Sequence, residues 1–370
     1  MPSFAPLKEH QPTMARAALV TSFKGPVEVR DVPVPELEDT AMLAEVEAAT
    51  LCGTDVHFWE GMMRAQALPY IPGHETAGRV VEIKGQRADI LGRPLKPGDR
   101  ILMAYPWCGR CYYCTVAADP TLCPNAGRFG RQDVNQYPYL LGGCAELHYV
   151  PTGSDVIRIP DNVPSPLAAS AACALRTVMH GFELLGPIAP HETVVIQGSG
   201  PIGLYALAVA RDRGANAVHV IGAPASRLEV AKEWGADDCL NIEDMRDVAD
   251  RHNWVLDRTG RRGADVVIQC ATGAAIPEGL DFTRPGGRFL SIGAGGLPDK
   301  PYSIGTKTYI GFRAGEARHY LSALTFLSTK RGINFERVLS NQFPLARVHE
   351  ALQGMAEGRE VKPVVLPGLG

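Results

Sequence analysis

Apolar positions follow two rhythms along the chain. From Met14 they come in short runs broken by turn residues: ARAALV, then VEVRDVPVP, then AMLAEVEAAT. The alternation in VEVRDV and LAEVEA predicts half-buried strands. Pro33 and Pro35 suit a strand edge or a loop, since proline cannot donate to a ladder. The opening part therefore reads as mostly β. After Pro190 the rhythm changes to apolar runs alternating with helical stretches. Strand TVVIQ leads to a helix from Pro201 to Arg213, and strand AVHVIG to a helix from Ala225 to Gly235. Strand DCLNI, a helix without clear edges, strand ADVVIQC, helix AAIPEGLDFT and strand GRFLSIG follow. Repeated βα units predict a parallel sheet covered on both faces. An alanine-rich helical run, Leu167 to Leu185, lies between the two parts, and residues 151–165 read as a loop-rich approach to a domain boundary. Gly142-Gly143-Cys144-Ala145-Glu146 opens into a strand, LHYVP. The final segment is helical around Arg318–Arg331 and closes on VKPVVLP, a last strand expected to return to the first domain. The proline-rich, polar start, residues 1–13, reads as a loose tail.

The first βα unit carries a glycine fingerprint, Gly198-Ser199-Gly200-Pro201-Ile202-Gly203. A tight turn at a helix N-terminus lets backbone N–H groups approach a pyrophosphate, and the helix dipole favours negative charge there. Gly198 would serve the turn, Gly200 the close approach and Gly203 the packing of helix on strand. Alone, such a motif equally describes an ordinary glycine turn. The βα alternation supplies the context of a doubly wound dinucleotide domain. The carboxylate that would bind the ribose is absent: Gly222 stands where it is expected, and Arg227 is the nearest cation. The choice between NAD and NADP stays open, with NAD ahead.

At 370 residues two domains are expected. The net charge of −3 offers no basic footprint for nucleic acid. No run approaches the roughly 18 apolar residues of a spanning helix, and no secretory signal is evident. A cytoplasmic protein is expected. Nine cysteines in such a chain argue for thiols and metal ligands.

Those cysteines fall into patterns. Cys52 opens CGTDVH, and His74 and Glu75 follow in GHETAG. A thiolate, an imidazole and a carboxylate are all zinc ligands. Each also has a bland role: Cys52 as a small buried hydrophobe, His74 as a core histidine, Glu75 as an exposed charge. Cys173 is either packing or a further ligand from a distant part of the chain. Cys108, Cys111, Cys114 and Cys123 are spaced for a closed four-thiolate zinc site, which leaves no open position. An iron–sulfur cluster is the rival, but the last gap is too long for the ferredoxin run. A zinc module for nucleic acid is disfavoured, since the lobe's intervening residues Gly109, Arg110, Tyr112 and Tyr113 carry one cation.

Taken together, CGTDVH, GHETAG, the four-cysteine lobe, GGCAEL, the CALRT around Cys173 and GSGPIG resemble the zinc-containing medium-chain alcohol dehydrogenase family from Met14 to Pro367. The resemblance implies an α/β protein with two domains. Residues 1–165 and 315–370 would form a GroES-like β-rich catalytic domain with its structural zinc lobe at 108–123. Residues 166–314 would form a Rossmann domain binding NAD(P). It implies that Cys52, His74 and Cys173 hold a catalytic zinc, with Glu75 beside it or binding transiently. It makes Thr54 and His57 a proton relay, sets Thr177 behind the nicotinamide, and makes Cys108, Cys111, Cys114 and Cys123 structural ligands. The implied activity is reversible oxidation of an alcohol, secondary or cyclic, to a carbonyl by a homodimer or homotetramer. A zinc-independent reductase on the same fold would need no Cys52/His74/Cys173 set. A non-enzymatic zinc protein would bind nucleotide without turning over alcohols. Phe58, Trp59, Ala104 and Tyr105 flank these positions as candidate pocket residues.

Overall fold

The computed structural model describes residues 13–63, 67–293 and 303–369. The expected tail, apart from Thr13, lies outside them. Two compact units emerge: Met1–Pro106 with Ala126–Arg158 and Asn341–Gly370, and Trp107–Asn125 with Ile159–Ser340. Among the described residues no helix is long and apolar enough to cross a membrane.

In chain order the first unit contributes β1 (Met14–Val20), β2 (Val27–Pro33), β3 (Met42–Thr50) and β4 (Glu75–Ile83). It continues with β5 (Arg100–Pro106), β6 (Leu147–Val150) and β7 (Ser154–Arg158). The second unit holds β8 (Thr193–Gln197), β9 (Ala217–Gly222), β10 (Asp238–Asn241), β11 (Ala264–Gln269), β12 (Thr283–Ser291) and β13 (Thr308–Gly311). The chain then returns to the first unit with β14 (Gln342–Phe343) and β15 (Val364–Val365).

The first unit is antiparallel in its main ladders. β1 pairs with β2, and a larger sheet runs β14-β15-β3-β4-β5-β7, with β6 also on β3. β3 alternates only loosely, because both its faces meet apolar clusters: Leu43 and Val46 face one, Met42 and Ala44 the other. Residues 151–165 are not all loop. Ser154–Arg158 is a strand paired with β5 across Ile101↔Arg158 and Leu102↔Ile157. Its five residues sit among Pro, Gly, Ser and Asp, so the turn signals around it outweighed the apolar Val156 and Ile157.

The second unit's sheet is wholly parallel, in the order β10-β9-β8-β11-β12-β13. All of Ala264–Gln269 is buried, as expected where both faces of a parallel sheet are covered. Asp247 starts the helix that had no clear edges, Val248–Arg258, by accepting from the N–H groups of Ala249 and Asp250. The helical run before β8 is continuous but irregular: Ser165–Ser170, a π-helical turn at Ala171–Leu175, then Arg176–Leu185.

Candidate active site

In the first unit, CGTDVH forms a short helix, Gly53–Trp59, despite a glycine and two β-branched residues. A reciprocal cap stabilises it. The Cys52 Sγ accepts from the Thr54 N–H at 3.3 Å, and Asp55 Oδ2 accepts from the Cys52 N–H at 2.9 Å. Thr54 and His57, three residues apart on this helix, both remain half-buried. Phe58 and Trp59 are both buried. Trp59 donates its indole N–H to Gly25 O and meets His349 edge-on, while Arg131 lies over the Phe58 ring. Ala104 is fully buried, and Tyr105 packs on Phe129.

His74 and Glu75 sit at the start of β4. The His74 Nε2 lies 3.4 Å from Cys52 Sγ, and its Nδ1 lies 3.2 Å from Asp55 Oδ1. A carboxylate facing Nδ1 keeps the proton there and leaves the Nε2 lone pair beside the thiol. A zinc held tetrahedrally by thiolate at about 2.3 Å and imidazole at about 2.0 Å requires an S···N separation of roughly 3.5 Å. The pair fits the metal. Asp55 is buried and was not singled out as a site residue. Burial raises its pKa, but the His74 charge and hydrogen bonds from His74, Cys52 and Gly73 outweigh it, so the carboxyl stays below the usual range. Its signal in the sequence was a carboxylate three residues after Cys52, buried on the same short helix.

Both oxygens of Glu75 are engaged. Thr50, its cross-strand neighbour, donates to Oε2, and the Lys362 ammonium contacts both oxygens. Glu75 and Lys362 are both buried, at 0% and 2% exposure. Lys362 was legible only as a lone cation in the closing VKPVVLP run.

In the second unit, Cys108, Cys111, Cys114 and Cys123 bring four Sγ atoms within 4.8 Å of one another. The Sγ separations of 3.5 Å (Cys111–Cys114) and 3.8 Å (Cys111–Cys123) approach the roughly 3.8 Å edge of a zinc tetrahedron. Backbone N–H groups of Arg110 and Cys111 favour the Cys108 thiolate and hold its pKa down, at about 6. Cys173 rides the π-helical turn, a distortion common at functional positions. From Ala171 to Phe182 only Cys173 and Thr177 are not fully buried.

The fingerprint makes a backbone cradle. Gly198 has φ +107°, and a Cβ on Gly203 would lie 1.8 Å from the Gly198 carbonyl oxygen. Gly200, the N-cap of helix Pro201–Asp212, faces open space, which suits close approach by a phosphate. Gly222 ends β9 with equal constraint: a Cβ there would meet Ser199 N and Cβ at 2.8 Å. Packing thus excludes the missing carboxylate. Ser199 donates to Ala223 O, and Arg227 stands half-buried in the first turn of helix Ala225–Glu233.

Residues 38–161 match the alcohol dehydrogenase GroES-like domain, and residues 201–328 match the zinc-binding dehydrogenase domain. The chain is 31% identical over 361 residues to 5-exo-hydroxycamphor dehydrogenase of Pseudomonas putida, covering 95% of this chain and 98% of that protein. The crystal structure of an alcohol dehydrogenase from Thermotoga maritima superposes with a TM-score of 0.90 at 31% identity, over 95% of this chain and 99% of that one. A putative zinc-binding dehydrogenase from Sinorhizobium meliloti, solved with NADP bound, superposes with a TM-score of 0.80 at 27% identity, over 96% and 100% of the two chains. With a thiol–imidazole pair at zinc-ligand spacing, a four-thiol lobe and a glycine cradle in place, the chain belongs to the zinc-containing medium-chain alcohol dehydrogenase family, as an oxidoreductase acting on CH–OH with zinc and NAD(P).

Proposed function

We propose that this enzyme oxidises a secondary or cyclic alcohol to a ketone, reversibly, with Cys52, His74 and Cys173 as the ligands of its catalytic zinc. The observation that carries the assignment is the Cys52 Sγ–His74 Nε2 approach at 3.4 Å with the other imidazole nitrogen tied to Asp55. When bound, zinc lowers the pKa of an alcohol oxygen and the nicotinamide accepts hydride. The chain's own residues do the rest. Asp55 fixes the His74 tautomer. Thr54 accepts the alcohol proton, and His57, on the same helix, exchanges it with solvent. Thr177 packs behind the nicotinamide, and Gly198, Ser199, Gly200, Pro201, Ile202 and Gly203 cradle the pyrophosphate. Cys108, Cys111, Cys114 and Cys123 hold the structural zinc. The enzyme works in the cytoplasm as a homodimer or homotetramer.

A bulky cyclic substrate is supported by the relative that acts on 5-exo-hydroxycamphor. The test is initial rates with NAD+ and NADP+ across primary, secondary, cyclic and polyol alcohols. The expected result is the highest kcat/KM for a cyclic secondary alcohol. Preference for a short primary alcohol or a polyol would overturn the substrate assignment.

A further inference from the structure

Three strands converge beside the thiol–imidazole pair of the first unit. β3 ends at Thr50, two residues before Cys52. β4 begins at Glu75, directly after His74, and Thr50 and Glu75 face each other across the ladder. β15 lies antiparallel on the end of β3, pairing Val364 with Thr50 and Val365 with Ala49. Leu51 N–H continues that register by donating to Pro363 O at 3.2 Å. One step further, the register brings Lys362 level with Cys52. A cation from the far end of the sequence is thus delivered into the most constrained corner of the site.

Burying an ammonium is costly unless it is paired. Its partner is Glu75: Lys362 Nζ contacts both carboxylate oxygens, and Oε1 also lies 4.0 Å from His74 Nε2. The carboxylate therefore stands between two cation positions: the ammonium, and the place beside Cys52 and His74 where the metal fits. Cys52 Sγ, His74 Nε2 and a Glu75 carboxylate oxygen all lie within 4.8 Å of one another. A carboxylate oxygen is itself a zinc ligand. Held by Lys362 and Thr50, it is turned toward protein donors. Released, it would be a buried anion with a divalent cation as its nearest partner.

We propose that Lys362 is a positioning residue that, with Thr50, holds the Glu75 carboxylate off the catalytic metal and so keeps one coordination position open to substrate. The inference rests on the zinc reading of Cys52 and His74. It assigns a task to Lys362 and decides the role of Glu75, which in the intact enzyme stays beside the metal. Replacing the ammonium by an apolar group of similar length leaves the carboxylate free to take the open position.

The test replaces the catalytic zinc with Co2+ and titrates the full-length enzyme with imidazole, following the visible cobalt bands. In the wild type, imidazole enters the open position and shifts the bands. In Lys362→Met the filled position should demand at least tenfold more imidazole. Cobalt loss to a chelator should slow several-fold, and kcat should fall tenfold or more. Lys362→Arg should restore the wild-type titration. Glu75→Gln combined with Lys362→Met should restore it too, because the freed group is then a neutral amide. Thr50→Val, which removes one hydroxyl, should shift the titration a few-fold in the same direction and decides the matter if Lys362→Met does not fold. An imidazole midpoint within twofold of wild type in the folded variants, whatever their melting temperatures, would overturn the proposal. A wild type that binds no metal beyond the four-cysteine lobe would instead overturn the zinc reading beneath it.

Discussion

At the residue scale, the site is built from side chains whose charge is balanced by a named neighbour. His74 has Asp55, Glu75 has Lys362 and Thr50, and Cys52 caps the helix that carries Asp55. The ligand types could be read directly from CGTDVH and GHETAG. Their supports could not, because Asp55 is meaningful only once Gly73 and His74 fold back on it, and Lys362 only once β15 pairs with β3. A different histidine gives this scale its prediction. His148 on β6 is fully buried and meets Phe129 edge-on at 4.8 Å. Burial lowers its pKa from 6.5 to about 4. The neutral form is the one the fold accepts, so its stabilising contribution is complete above pH 6.5 and is lost as pH falls toward 4. Between pH 7 and 4.5 this amounts to about 2–3 kcal/mol. Denaturant midpoints at the two pH values should therefore fall less in His148→Leu than in the wild type. Parallel losses would show that His148 is not the acid-sensitive group.

At the element scale, the parallel strands were the most legible part of the chain. Val194–Ile196 and Val266–Ile268 are buried and read as unbroken apolar runs. Short elements hid. The helix Gly53–Trp59 has poor intrinsic propensity and exists through its cap, and Ser154–Arg158 was masked by turn residues. The π-helical turn at Ala171–Leu175 has no signature in an alanine-rich run. The four-cysteine lobe shows the same limit from another side. Between Trp107 and Asn125 it contains one four-residue helix and one three-residue helical turn. Tyr112, Tyr113, Val116 and Leu122 are exposed, so side-chain burial contributes little to holding it. On the structural-zinc reading, ligation supplies the stability that burial does not, as in small zinc modules. Cys111→Ser should lose one zinc per chain, lower the melting temperature by several degrees and open residues 107–125 to proteolysis. A variant with unchanged melting and unchanged cleavage would contradict that role.

At the scale of the whole molecule, the chain order conceals how its parts are grouped. The first unit is assembled from three separate segments, and its C-terminal strand completes the surroundings of residues near its start. The closing VKPVVLP was readable as a strand, but its partner was not, since a two-residue strand carries no register information of its own. The dinucleotide half was readable from local rhythm, whereas Gly222 posed a question that only packing answers: Ser199 occupies the space a side chain would need. Whether Cys52 helps hold a metal required for alcohol oxidation is decided by one paired measurement. Zinc content and cofactor reduction with a cyclic secondary alcohol should be compared for the wild type and Cys52→Ser. The wild type should hold two zinc ions per chain and turn over, and the variant should hold one zinc with turnover reduced by at least a hundredfold. Full zinc content with undiminished turnover in Cys52→Ser would contradict Cys52 as a metal ligand.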